Sequence, residues 1–452
     1  MKYFVKDLEK ILNAKKINLV DNKEITGIAI DSRKVKEGDL FIPFLGENVN
    51  GHDYIESAFE KGAVASLSLK DDFKSGNNII YVNDSYEAIQ TLAKHYLECL
   101  NVKIVAITGS NGKTTTKDIV TSILETKFKV HKTQGNFNNE LGVPLTILAA
   151  PEDSDILVLE MGADNFGQLD FLSKLVKPDY TIITNIGESH IEFFGSRAGI
   201  AKAKFEITNG MKKDGFFVYN GDEPLLKELV ENSSINATSC GENSYNDIIL
   251  ENYTITRDKI DFKLNIDENN FSTTLKGKHN LFNIMFAVAI AKKIGLTNEE
   301  IRHAIDNISK ITNMRLESIP YAEDSLIIND AYNASPTSMK AAVDVISDLN
   351  DFEFKTLVLG SMFELGPNEV EYHSGIGTYI NNNSRGINLV ISVGDLAKNI
   401  TDNINNKDIS TLHFSTVEEV TDYLKANKHK NEVILFKASR SMKLETIIND
   451  IK

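Results

Sequence analysis

The sequence predicts an α/β protein of three domains: an α/β domain over residues 1–100, a central doubly wound parallel sheet over 101–313, and a smaller α/β domain over 314–452. Three observations carry that expectation. Strand-like and helix-like segments alternate from about residue 103 onward, the rhythm of parallel sheets with helices on both faces. The run Ile104-Val-Ala-Ile-Thr is continuously apolar, as strands covered on both faces are. At 452 residues the chain has length for two to four domains, each with its own core.

In the first block, 25–30 and 39–44 read as strands and 51–62 as a helix closed by its glycine. A short strand over 78–82 and a helix through 96 follow. The second block opens on the strand 103–108, then a glycine-rich turn and a helix from about Thr114. Further strands fall at 128–133, 156–161, 180–185 and 215–219. Apolar and polar positions alternate over 247–275, which predicts an antiparallel ribbon at the sheet's edge; a helix over 280–293 comes next. The third block has strands at 326–329, 356–359, 389–393 and 433–436, with helices between them.

Composition removes several functions. Hydrophobic and charged fractions of 42% and 25% are those of ordinary globular chains. A net charge of −15 argues against a general nucleic-acid or membrane-surface binder, which needs excess Lys and Arg. The two cysteines, Cys99 and Cys240, form no disulfide framework and read as core thiols in a reducing compartment. No secretory leader and no bilayer-length apolar run is visible, so a cytoplasmic protein is expected.

The most informative stretch is Gly109-Ser110-Asn111-Gly112-Lys113-Thr114-Thr115, between the buried strand and a helix. Glycines let backbone N–H groups crowd around phosphate oxygens, and the positive end of the helix points at them. Lys113 supplies charge for the β- and γ-phosphates, and Thr114 can place a hydroxyl on magnesium. The strict eight-residue P-loop spacing is not met, since its first glycine would fall on Ile107. The bland alternative is a glycine-containing turn beside a lysine. Glu160 follows the apolar strand 156–159, at the carboxyl end where ligands gather in open sheets. A carboxylate there suits magnesium; otherwise it is a solvated strand end.

The loop resembles the ATP loop of the Mur ligases and their folylpolyglutamate synthetase relatives. The resemblance extends along the chain through Asp31-Ser-Arg, Gly51-His-Asp, Thr133-Gln-Gly-Asn-Phe-Asn-Asn-Glu140, Leu159-Glu-Met-Gly162 and Thr184-Asn-Ile-Gly-Glu-Ser-His190. It continues with Gly277-Lys-His-Asn280, Asp330-Ala-Tyr-Asn-Ala-Ser-Pro336 and Glu364-Leu-Gly366. Within the family these motifs are nearest those of the dipeptide-adding ligases. The resemblance implies a central P-loop-type sheet, a Rossmann-like C-terminal domain and a monomer. It implies an ADP-forming ligase that joins UDP-N-acetylmuramoyl-tripeptide to D-alanyl-D-alanine through an acyl phosphate, a step of peptidoglycan biosynthesis.

It also implies roles. The first block would hold the UDP-sugar through Asp31, Ser32, Arg33, Gly46 and His52, whose bland reading is turn chemistry. Asn136, Asn138 and Asn139 would donate to the muramoyl peptide. Magnesium would sit on Thr114 and Glu160, and a second ion on His190 and on Lys204 as a carbamate formed from CO2; Lys202 is the alternative site. Asn283, on one helix face with Asn280, would contact adenine, Arg315 would reach the γ-phosphate, and Asp330 would lie at the nucleotide end; Lys437, after the strand 433–436, stands likewise at a strand's carboxyl end. Asn333, Ser335 and Pro336 would border the dipeptide pocket. Ser361, Ala438 and Asn313 depart from the family pattern, where aspartate, glycine and glycine are usual. These departures keep two other readings open: a sibling ligase adding a single lysine or diaminopimelate, and a nucleotide-binding paralogue without turnover.

Overall fold

The computed structural model describes residues 2–69, 76–256, 258–308, 312–322 and 324–452. The first sheet has five strands in the order Lys16–Asn18, Ile79–Tyr81, Ala65–Ser68, Asp39–Phe41, Gly27–Ala29, parallel except for the first pair. The expected helix at 51–62 is a 3-10 turn, Gly51–Tyr54, continued by the helix Ile55–Glu60. The helix Ser85–Cys99 is capped by Asp84, whose carboxylate accepts the Glu87 N–H, and buries Ile89, Leu92 and Tyr96. Its last residue corrects one expectation: Cys99 is exposed, because the helix runs three residues further than the apolar pattern indicates, while Cys240 is buried.

The central sheet has nine strands: Phe271–Thr273, Ile260–Leu264, Ile248–Ile255, Ala237–Gly241, Phe216–Asn220, Tyr180–Ile183, Lys103–Thr108, Ile156–Glu160, Val130–Lys132. The last seven of these are joined in parallel and the first two add an antiparallel ribbon, as the alternation predicts. Three strands place the site and are labelled β1 (Lys103–Thr108), β2 (Ile156–Glu160) and β3 (Tyr180–Ile183). β1 lies between the other two, so all three deliver their carboxyl ends side by side. The helix α1 (Lys113–Leu124) follows β1 and is buried nearly all round, packed on α3 (His279–Ile294); between them in sequence lies α2 (Arg197–Phe205).

The third sheet runs Glu317–Tyr321, Ser325–Asn329, Glu432–Lys437, Phe354–Gly360, Leu389–Val393, Ser410–Phe414. All neighbours are parallel except the first pair. The two strands the sequence pattern does not reveal are both edges. Glu317–Tyr321 contains Pro320, tolerated where one side of a strand has no partner, and Ser410–Phe414 is exposed or half-buried along its length. The helix α4 (Pro336–Asp348) begins against the central domain, where Thr337 meets Glu188. Among the described residues, no helix is long and apolar enough to cross a membrane.

Candidate active site

β1 ends at Thr108 and the chain turns sharply. Gly109 has φ +148° and Gly112 φ +79°. A side chain at Gly109 would collide with the Thr184 hydroxyl and one at Gly112 would press on the Asn283 amide, so both positions demand glycine. The turn is pinned by β3's continuation: Ser110 N–H donates to the Asn185 carbonyl (3.1 Å) and Asn111 N–H to the Asn185 side chain (2.9 Å). Lys113 folds back, its Nζ donating to the Gly109 carbonyl (2.8 Å). Buried Ser110 Oγ, Thr108 Oγ1 and Asn111 Nδ2 have no partner, which leaves polar atoms available to a phosphate.

Glu160 at the end of β2 is 3% exposed. One oxygen accepts from Asn138 Nδ2 (2.9 Å); the other, Oε2, has no hydrogen-bond donor and is ion-paired at 4.0 Å with Lys117 Nζ, with the charge of Lys113 also within reach. A buried carboxylate oxygen without a donor is a costly arrangement that a cation relieves. Thus the amide of Asn138 serves the carboxylate, and Asn139 accepts the Gly142 N–H (2.9 Å) at the start of a helix, while Asn136 is exposed. The asparagines sit together, but two of the three already make bonds that hold the site's own frame.

α2 separates the two candidate lysines: Lys202 is exposed and Lys204 is 1% exposed. Lys204 Nζ donates to the Ala163 carbonyl (3.0 Å) and lies 5.5 Å from the centre of the Phe194 ring. Burial, aided by the charge of Lys113, pulls its pKa down to about 7. His190, at φ +60°, has Nδ1 2.6 Å from Glu364 of the third domain. Burial lowers its pKa, Glu364 opposes this, and Lys113 and Lys204 lower it further, so His190, Lys113 and Lys204 share one electrostatic neighbourhood.

A cavity of about 520 Å³ opens on the other side of the loop, between the central and third domains. Asn111, Gly112, Thr115, Asn283, Arg315, Asp330 and Asn333, all expected at the site, line it, and so does Lys437. Asn283 donates to Asn280 (2.8 Å) and accepts from Thr116 Oγ1 (3.1 Å). Arg315 stacks on Tyr332, with its guanidinium carbon 4.1 Å from the ring centre. Lys437 Nζ donates to Asp330 (2.5 Å) and to the Asn333 carbonyl (3.0 Å).

Ser335 caps α4 and its hydroxyl reaches Asn111 Oδ1 (3.2 Å), so it faces the phosphate loop, while Pro336 borders a separate surface groove with Lys340 and Glu371. Asp31, Ser32, Arg33, Gly46 and His52 lie in the first domain, away from the cavity. Asp31 accepts from Arg33 through the side-chain Nε and Nη2 and the backbone N–H, which holds its pKa down to about 2. His52 is buried and takes the Leu69 N–H on Nε2 (3.3 Å).

Several site residues carry no sequence signal: Lys117, Asp118 and Asp164 are charged residues in helices or loops, where solvation is the ordinary expectation. Glu188 and Glu364 stand in the motifs quoted above, but nothing local gives them a partner. Only the tertiary fold puts Glu188 against Thr337, whose N–H and hydroxyl both donate to it (3.1 and 2.6 Å).

A sheet edge shaped for a triphosphate, with another domain docked over it, defines an ATP-dependent ligase. Family models for the Mur ligase catalytic domain (24–98), the Mur ligase middle domain (107–291) and the Mur ligase glutamate ligase domain (314–440) together match most of the chain, which belongs to the Mur ligase family. It is 43% identical over 437 residues to the UDP-N-acetylmuramoyl-tripeptide–D-alanyl-D-alanine ligase of Bacillus subtilis, covering 94% of this chain and 93% of that one. The enzyme of the same name from Haemophilus influenzae is 33% identical over 98% of this chain and 97% of its own. Among solved structures, MurF from Acinetobacter baumannii superposes with a TM-score of 0.91 at 27% identity, covering 100% and 99% of the two chains. MurF from Thermotoga maritima in complex with ADP gives 0.84 at 29%, covering 94% and 96%.

Proposed function

We propose that this ligase joins UDP-N-acetylmuramoyl-tripeptide to D-alanyl-D-alanine with conversion of ATP to ADP and phosphate, acting as a cytoplasmic monomer in peptidoglycan synthesis. The observation that carries the reading is one carboxyl edge of the central sheet, where the phosphate loop, the Glu160 oxygen without a hydrogen-bond donor and the buried amine of Lys204 meet. The domain 1–100 takes the UDP-sugar through Asp31, Ser32, Arg33, Gly46 and His52, 101–313 takes ATP, and 314–452 the dipeptide, with Asn333, Ser335 and Pro336 at its border. The relatives' names support the pair of substrates.

A carboxylate is a poor electrophile, and an amine does not displace its oxygen. Its attack on the γ-phosphorus, with ADP leaving, makes an acyl phosphate; the amine then forms the amide bond and phosphate departs. In this scheme Lys113 leaves the Gly109 carbonyl for the β- and γ-phosphate oxygens, and Arg315 stabilises charge on the γ-phosphoryl group from the opposite side. Asn283 borders the base, and docking of the third domain excludes water that would hydrolyse the acyl phosphate.

The donor-less oxygen of Glu160 fits a hard divalent cation. No three His, Cys, Asp or Glu side chains cluster as a ready-made metal nest among the described residues, so Thr114 and substrate oxygens would complete the shell. Magnesium held there would neutralise phosphate charge during transfer. His190 would hold a second ion with Lys204. Lys204 suits carbamate formation, because its lowered pKa keeps part of it neutral near pH 7: the amine nitrogen bonds CO2 carbon and releases a proton, leaving an anionic oxygen ligand. Incubation with ¹³C-labelled bicarbonate should give a carbamate carbon resonance in the wild type and none in Lys204→Gln.

The test of the whole reading is ADP release that requires both the UDP-tripeptide and D-alanyl-D-alanine. The departures at Ser361 and Ala438 keep the single-amino-acid reading as a comparison arm: release with lysine or diaminopimelate and a shorter muramoyl peptide would replace the proposal. ATP binding without product in any arm would favour the paralogue without turnover.

A further inference from the structure

We infer that Asp118 is a positioning residue that clamps the interdomain linker to the phosphate-loop helix and thereby aims Arg315. The inference rests on the nucleotide site proposed above and concerns Asp118 and Thr312, to which that scheme gives no role.

Asp118 lies in the second turn of α1, five residues beyond Lys113, and is 2% exposed. Its two oxygens are divided between tasks. Oδ1 takes Lys132 Nζ at 2.7 Å and has Lys117 Nζ at 3.5 Å. Oδ2 accepts both the N–H (2.9 Å) and the hydroxyl (2.6 Å) of Thr312. Thr312 belongs to the segment that leaves the central domain for the third sheet. A buried ionised group holding two donors of one distant residue is a strong, geometrically specific tie.

Four residues later the same segment is tied again, from the other domain. Leu316 N–H donates to Asp330 Oδ1 (3.2 Å), and Asp330 is itself held by Lys437. Within this stretch, Met314 and Leu316 have φ of +60° and +53°, a left-handed conformation that bulky residues rarely adopt. Such backbone persists only where its surroundings over-determine it. Arg315 stands between these two residues, stacked on Tyr332, with a buried Nε that has no hydrogen-bond partner. The linker is therefore a short strap fixed at both ends, and its shape presents one guanidinium to the cavity beside the loop. Asp118 ties that strap to the helix that carries Lys113, so the two cations are referenced to one rigid element.

The test compares Thr312→Val, which removes one donor and keeps volume, with Thr312→Ser, which restores it. Each is made alone and together with Arg315→Ala, and Asp118→Asn is measured beside them. The readouts are the ATP-over-ADP affinity ratio by titration calorimetry with magnesium, turnover, and the melting temperature. Thr312→Val should lower both the ratio and turnover about ten-fold with little change in melting, the size expected for a hydrogen bond to a charged group. Thr312→Ser should recover them, and Thr312→Val should add nothing in the Arg315→Ala background. Equal losses in both backgrounds, an unchanged ratio in Thr312→Val, or a wild-type chain that binds ATP and ADP alike would overturn the inference. Absence of turnover with the muramoyl substrate would strike the ligase reading alone, because the affinity ratio still reads the linker.

Discussion

Replacing Lys204 by methionine should make the protein more stable while stopping its chemistry. The folded-state pKa of Lys204 is about 7 against an ordinary 10.5, mainly because burial disfavours the ammonium. Below the folded pKa the full penalty applies; as pH rises toward 10.5 the unfolded chain also loses its proton and the penalty vanishes. From these two pKa values the cost is about 4 kcal/mol at pH 7 and about 2 kcal/mol at pH 9. Wild-type stability should therefore rise by about 2 kcal/mol across that interval through this one group. Lys204→Met has no proton to lose, so its stability should lack that rise. Urea unfolding of both proteins at pH 7 and 9, in bicarbonate-free buffer so that no carbamate forms, measures the difference between the two slopes. Parallel pH dependences would show that Lys204 is not the desolvated amine described here, and the case for its carboxylation would go with it.

Lys113→Ala should reduce ATP-dependent coupling by about three orders of magnitude, since a cation on the transferring phosphoryl group is lost; full-speed coupling would remove the loop from the mechanism. Glu160→Gln should reduce turnover about 10²- to 10³-fold and raise the magnesium concentration needed for half-maximal rate, read from metal titrations of initial velocity. Asn138→Ala, which frees the second Glu160 oxygen, should weaken the same metal response about ten-fold, whereas an effect confined to KM for the muramoyl peptide would mean that Asn138 serves the substrate after all. Gly112→Ala should lower ATP affinity in equilibrium titration, because the added methyl meets the Asn283 amide and the φ of +79° is strained for alanine.

The parts of this site that a sequence displays are those with local causes. The apolar run of β1, the two glycines and the lysine of the loop, and the carboxylate ending β2 each follow from backbone geometry within a few residues. Lys204 is separable from Lys202 only as one of two helix faces; which face is buried depends on Ala163, 41 residues back in the chain, and on the Phe194 ring of the short helix just before it. Lys117 and Asp118 look like a solvated pair in the middle of a helix. They are buried because α1 is enclosed by β2 on one side, α3 on another and the linker at Thr312, none of which leaves a trace in the local pattern. The same holds for the edge strand Ser410–Phe414, whose polar, half-exposed residues satisfy no strand template until a parallel neighbour supplies the pairing.

Lys113 donates to the carbonyls of its own loop, at Gly109 and, more weakly, Ser110. The turn proposed to cradle phosphate is thus already drawn tight by the side chain that, in that scheme, grips the nucleotide. On that reading, arrival of a triphosphate would exchange one set of bonds for another and demand little new order from the polypeptide. Nucleotide affinity should then be set by ion-to-ion contact more than by the entropy of shaping a floppy segment, and it should weaken steeply with added salt while the loop's amide protons exchange slowly in both states.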